Sequence, residues 1–73
     1  MTHLKTRVQT DIHATLKGFK VGEAEFILFA DSQTDTGTFS SRYQTLKREG
    51  AITGEFQFHR CNNPRGTTIV RIR

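Results

Sequence analysis

The sequence has one cysteine, one proline, one methionine and no tryptophan in its 73 residues. A lone cysteine, Cys61, forms no internal disulfide, so this chain is not a disulfide-stapled scaffold and suits a reducing compartment. No apolar run approaches the ~20 residues of a membrane helix. The longest, FILFA at 26–30, has the length of a core segment. The amino terminus shows no signal-peptide apolar region, and a cytoplasmic protein without membrane contact is expected. Glycines occur singly, so there is no phosphate-cradling glycine-rich loop. Length excludes more: one small domain over 1–73, near the size where apolar burial barely offsets chain entropy, leaves little room for an internal active-site cavity. Catalytic groupings are also missing. His3, His13 and His59 are scattered, Ser40 and Ser41 have no nearby histidine with an orienting acid, and the expectation is no enzyme and no cofactor. His59 and Cys61 alternate on one segment, but two ligands without a second pair make a poor zinc site, and no metal is expected.

What the chain does have is six phenylalanines, 34% hydrophobic residues and an uneven distribution of charge. Residues 1–36 set Lys5, Arg7, Lys17 and Lys20 against Asp11, Glu23, Glu25, Asp31 and Asp35, a net of −1. Residues 37–73 set six arginines and Lys47 against Glu49 and Glu55, a net of +5. The positive field therefore belongs to the carboxy-terminal half. Guanidinium suits bidentate contact with phosphate and with guanine edges, whereas the bland alternative is a solubilising basic surface.

The firmest local pattern is TFSSRYQTLKREG at 38–50, where Phe39, Tyr43 and Leu46 recur at i, i+4 and i+7 and predict a helix. Thr36 or Thr38 can cap its start and Gly50 marks its end. Ser41, Arg42, Thr45 and Arg48 then face outward. A hairpin follows: EFQFHR and TTIVRIR both alternate, and pairing Phe58 with Val70 and Phe56 with Ile72 puts four apolar side chains on one face. That register turns Arg71 and Arg73 outward and leaves CNNPRG as the tip, with Arg65 in it and Arg60 beside it. The first 35 residues are ambiguous. LKTRVQTDIHATLKGF fits a helix through Leu4, Val8, Ile12, Leu16 and Phe19, and equally a strand over 7–16; helix is narrowly preferred. GEAEFILFADSQ reads as a helix starting near Gly22 with Glu23 and Glu25 in its first turn, and SQTDTG as a polar turn before the next helix.

Residues 22–73 resemble a winged helix-turn-helix domain. TFSSRYQTLKREGAI is similar to the recognition-helix segment of that family and GEFQFHRCNNPRGTTIVRIR to its wing, while SQTDTG departs from the pattern by lacking the usual Gly-aliphatic pair. Within the family the likeness is to the small stand-alone proteins of bacteriophages and other mobile elements. The fold class expected is α+β, helices followed by a two-stranded wing, with ββαββ as the alternative if 7–16 is a strand. The resemblance implies sequence-specific double-stranded DNA binding by a transcriptional regulator or a recombination or excision accessory factor, acting as a homodimer or on repeated sites. Arg42 and Arg48 would meet base edges with Ser41 and Thr45, and Arg60 and Arg65 would reach phosphates or the minor groove. The other expectation is a protein-binding inhibitor or adaptor on the same scaffold, its basic surface turned to an acidic protein partner. Glu23, Glu25, Asp31 and Asp35 lying beside Arg42 and Arg48 would favour it.

Overall fold

A computed structural model describes residues 5–73 of the chain. Its elements run β1 (Lys5–Val8), α1 (Ile12–Lys17), β2 (Ala24–Leu28), α2 (Thr36–Arg48), β3 (Phe56–Asn62) and β4 (Arg65–Arg71). The strands form one sheet in the order β1-β2-β4-β3; β1 and β2 are parallel and the other pairs antiparallel. Both helices pack on one side of it, in a slab 33 × 32 × 16 Å. The α+β class is as expected, but the order of elements is neither that of a winged helix-turn-helix nor ββαββ.

The ambiguous amino-terminal stretch is both things in turn, and Asp11 divides them. Its carboxylate accepts from Ala14 N at 3.0 Å and its carbonyl from Thr15 Oγ1 at 2.9 Å, an N-cap that starts α1 in mid-pattern. Upstream, Val8 is 57% exposed, so a single helical face through it is ruled out. Leu4 and His3 lie outside the described residues.

The expected helix over 22–33 is corrected to a strand. β2 lies between β1 and β4, so its backbone groups are satisfied on both edges by neighbours distant in sequence. A central strand carries side chains against both faces and reads as an unbroken apolar run, which periodicity does not distinguish from a buried helix. Ile27 enters the core completely, while Phe26 and Leu28 turn to the other face. Glu25 also points to the helix side, 5% exposed, where Arg7 Nε lies 3.0 Å from its carboxylate.

The helix read from Phe39, Tyr43 and Leu46 is present, and all three are buried. Its cap is neither threonine: Asp35 is the N-cap, accepting from Thr38 N at 2.8 Å, while Thr38 Oγ1 completes a capping box from the third position. At the other end Gly50 takes φ +79°. Ala51 N donates to Leu46 O at 2.9 Å and Gly50 N to Lys47 O at 3.1 Å, the paired bonds of a Schellman motif, which needs a left-handed residue there. Tyr43 crosses to the sheet, edge-on to Phe56 at 5.3 Å, with its hydroxyl donating to Gly54 O at 2.7 Å.

The hairpin exists with its register moved by one. Phe58 pairs with Ile69 and Phe56 with Arg71, and the loop is only Asn63-Pro64, joined by a cis peptide. A one-residue slip exchanges the two faces of a strand. Ile69 therefore enters the core, Val70 and Ile72 turn away from the helices, and Arg71 points inward. Its guanidinium donates to Phe19 O at 2.7 Å and to Arg73 O at 2.9 Å, and lies 5.8 Å from the Phe56 ring centre. The outward placement of Arg71 is thus corrected; Arg73 is exposed, 3.7 Å from Glu55. Adjacent apolar residues, Ile69 and Val70, make either register plausible from the strand alone, and the full burial of Ile69 beneath the helices selects one.

Candidate nucleic-acid interface

The outward side of α2 follows from its buried side. With Phe39, Tyr43 and Leu46 inward, a turn of 3.6 residues places Ser41, Thr45 and Arg48 along the opposite ridge at i, i+4 and i+7. All three are exposed. Thr45 Oγ1 donates back to Ser41 O at 3.1 Å, so its remaining lone pairs, not its proton, face the solvent. Arg48 stands in the last helical turn beside Lys47, where cations complement the helix dipole. Arg42 is rotated about 100° from Ser41, toward α1. It lines a groove of about 450 Å³ between the two helices with Asp11, Ile12, Thr38, Ser41 and Thr45. Neither Arg42 nor Arg48 has an ion-pair partner among the described residues.

The two hairpin arginines are placed differently. Arg60 is exposed on the helix side of β3 and lines a hollow of about 230 Å³ with Asp35, Thr36 and Arg65 at the start of α2. Asp35 sits below its ordinary carboxyl value of 3.8 because the Thr38 N–H, the Thr38 hydroxyl and then Gly37 N–H bond its anion; Arg60 adds a smaller attraction. Arg65 is turned inward along the sheet end. Its guanidinium donates to Thr34 O at 2.8 Å and Asp31 O at 3.1 Å and lies 5.5 Å from the Phe29 ring centre. The loop it grips is closed from within by Asp31, whose carboxylate accepts from Thr34 N, Gln33 N and Thr34 Oγ1. Those bonds, the Thr34 hydroxyl first, hold Asp31 below its ordinary value.

Ser41, Thr45 and Arg48 are therefore brought together, Arg42 adjoins them, and Arg60 and Arg65 form a separate group past the amino-terminal end of the helix. Two acidic neighbours flank the arginines; Asp35 is among the four acids weighed in the sequence, and Asp11 is not. Asp11 shares the groove of Arg42, and Asp35 adjoins Arg60. Both occupy N-cap positions just before a helical pattern, which is the signal that could have located them.

Fold and site together define a small two-layer α+β domain with a partly basic helix ridge. No family model matches the chain, and neither a curated protein nor a solved structure is similar to it. Among the described residues there is no helix long and apolar enough to cross a membrane, and no cluster of three or more His, Cys, Asp or Glu side chains able to hold a metal.

Proposed function

We propose that this protein binds double-stranded DNA through the outward ridge of α2, in the service of transcription or of recombination and excision. The observation that carries the reading is the ridge itself: Ser41, Thr45 and Arg48 exposed along one well-capped helix, with Arg42 alongside and neither arginine in an ion pair among the described residues. A 13-residue helix is about 20 Å long, enough to lie in a major groove. Arg48 and Arg42 are assigned to base edges, Ser41 and Thr45 to shorter polar contacts, and Arg60 to phosphate. Arg65 serves indirectly by fixing loop 31–34 ahead of the helix. The sequence resemblance of residues 22–73 to the winged helix-turn-helix family does not carry this assignment, because the strand β2 stands where the first helix of that motif would be.

A second reading has its own observation. Asp11 beside Arg42 and Asp35 beside Arg60 would repel phosphate and suit a protein surface with mixed charge, as an inhibitor or adaptor needs. Fluorescence anisotropy on duplex DNA at two salt concentrations separates the two. DNA binding requires affinity that falls with salt, and Arg48→Ala should remove ~1–3 kcal/mol at the preferred site while blurring preference at one base pair. Salt-dependent binding to no duplex at all would overturn the DNA reading and leave the protein partner.

A further inference from the structure

The side of the sheet away from the helices carries an apolar patch. Pairing fixes which side chains it carries: Val8 from β1, Phe26 and Leu28 from β2, Val70 from β4, and Ile72 just beyond it. The outward positions of the four strands hold no Lys, Arg, Asp or Glu, although the chain as a whole carries +4; the acid at the rim is Glu55, whose carbonyl accepts from Ile72 N at 2.8 Å. A solvated sheet face ordinarily alternates to polar residues; here Thr6, Thr68 and the Gln57 and His59 of β3 keep that character, but Val8, Phe26, Leu28 and Val70 interrupt it with an apolar patch. Val8 is 57% and Ile72 42% exposed. At the centre, Gly66 leaves a floor for the Phe26 ring, which a Cβ at that position would strike. Nothing among the described residues covers this face.

We propose that a second copy of this chain covers it, the two sheets packing back to back about a twofold axis. Charge selects this occupant. Two molecules of the same net charge repel wherever basic surfaces meet, and this face lets them approach without apposing cations. Nucleic acid is disfavoured there for the converse reason, since no lysine or arginine on the face would meet phosphate. Size sets the strength. Four strands spaced ~4.8 Å and about five residues of ~3.3 Å make a face of roughly 19 by 17 Å, about 320 Å² per copy and below the ~800 Å² of a standard interface. The pair is therefore weak and concentration-dependent. Its geometry would also direct the two α2 ridges away from each other, on opposite outer surfaces, so one dimer could hold two separate duplexes and not adjacent half-sites of one.

Sedimentation equilibrium of the native chain without DNA, from low micromolar to near-millimolar concentration, tests this independently of DNA binding. The mass should rise from 8.3 kDa toward twice that value. Val8→Lys and, separately, Ile72→Lys should weaken association by about tenfold or more through apposed like charges, with circular dichroism unchanged. Arg42→Ala, on the opposite surface, should leave it intact. A mass of one chain at every concentration overturns the proposal and frees the face for another protein. So does a dimer indifferent to both lysine substitutions, or assembly that continues beyond two copies, which would indicate pairing through open strand edges. If one lysine variant fails to fold, the other decides.

Discussion

Removal of Arg7 tests how the edge strand β1 is held. Glu25 is 5% exposed, and Arg7 Nε and Nη2 lie 3.0 and 3.4 Å from its two carboxylate oxygens. At an effective dielectric of ~20, charges this close attract by about 5–6 kcal/mol before the loss of hydration is counted. Breaking a buried pair from one side typically costs ~3–5 kcal/mol, because the remaining charge is buried without compensation. The Arg7 side chain is 39% exposed, so solvent screens it and the cost falls below that range, to about 2–3 kcal/mol for Arg7→Met. Glu25→Met should cost less, since a partly exposed guanidinium can turn to water. The double variant should lie close to the native protein, as two apolar chains of similar volume replace the pair. Urea unfolding followed by circular dichroism gives all three free energies. Hydrogen exchange should show β1 opening first in Arg7→Met, because that strand has only four residues and one neighbour. An Arg7→Met protein within ~0.5 kcal/mol of the native one, or Glu25→Met proving the costlier change, would refute this account of the pair.

Leu46→Ala should destabilise the domain by ~2–5 kcal/mol in the same unfolding assay, since Leu46 is only 6% exposed in a thin core. Asp35→Ala should lower the unfolding midpoint through loss of the capping box. The depressed values of Asp31 and Asp35 also set an acid dependence. A carboxyl whose folded value lies below its unfolded one stabilises fully above the ordinary 3.8 and loses that contribution as pH falls toward the folded value. Melting temperature should therefore drop below about pH 4, and less steeply in Asp35→Asn, as thermal scans at several pH values will show. Arg65→Ala should release loop 31–34 at a cost of ~1–3 kcal/mol, seen as faster exchange of the Gln33 and Thr34 amides.

α2 was legible because its information is local. Phe39, Tyr43 and Leu46 lie within two turns, and Gly50 is a glycine because the helix ends in a left-handed residue. The hairpin was legible as two alternating segments with a turn-forming tip, and the outward positions of Ser41, Thr45 and Arg48 followed from the stripe they oppose, whereas only the packing of α1 placed Arg42 in a groove. Strands have no such internal bonding. Residues 24–28 became β2 only because β1 and β4 satisfy its backbone from both sides, and those partners lie about 20 and 40 residues away along the chain. The hairpin register required the helices, since burial of Ile69 beneath them decides between two adjacent apolar residues. The arginines divide in the same way: Arg48 stays in solvent because its helix turns it outward, whereas Arg65 and Arg71 are held by backbone carbonyls of loops that only the folded chain brings within reach. Sequence by itself determined the elements whose hydrogen bonds close within a few residues, and the tertiary structure decided those whose partners had first to be brought together.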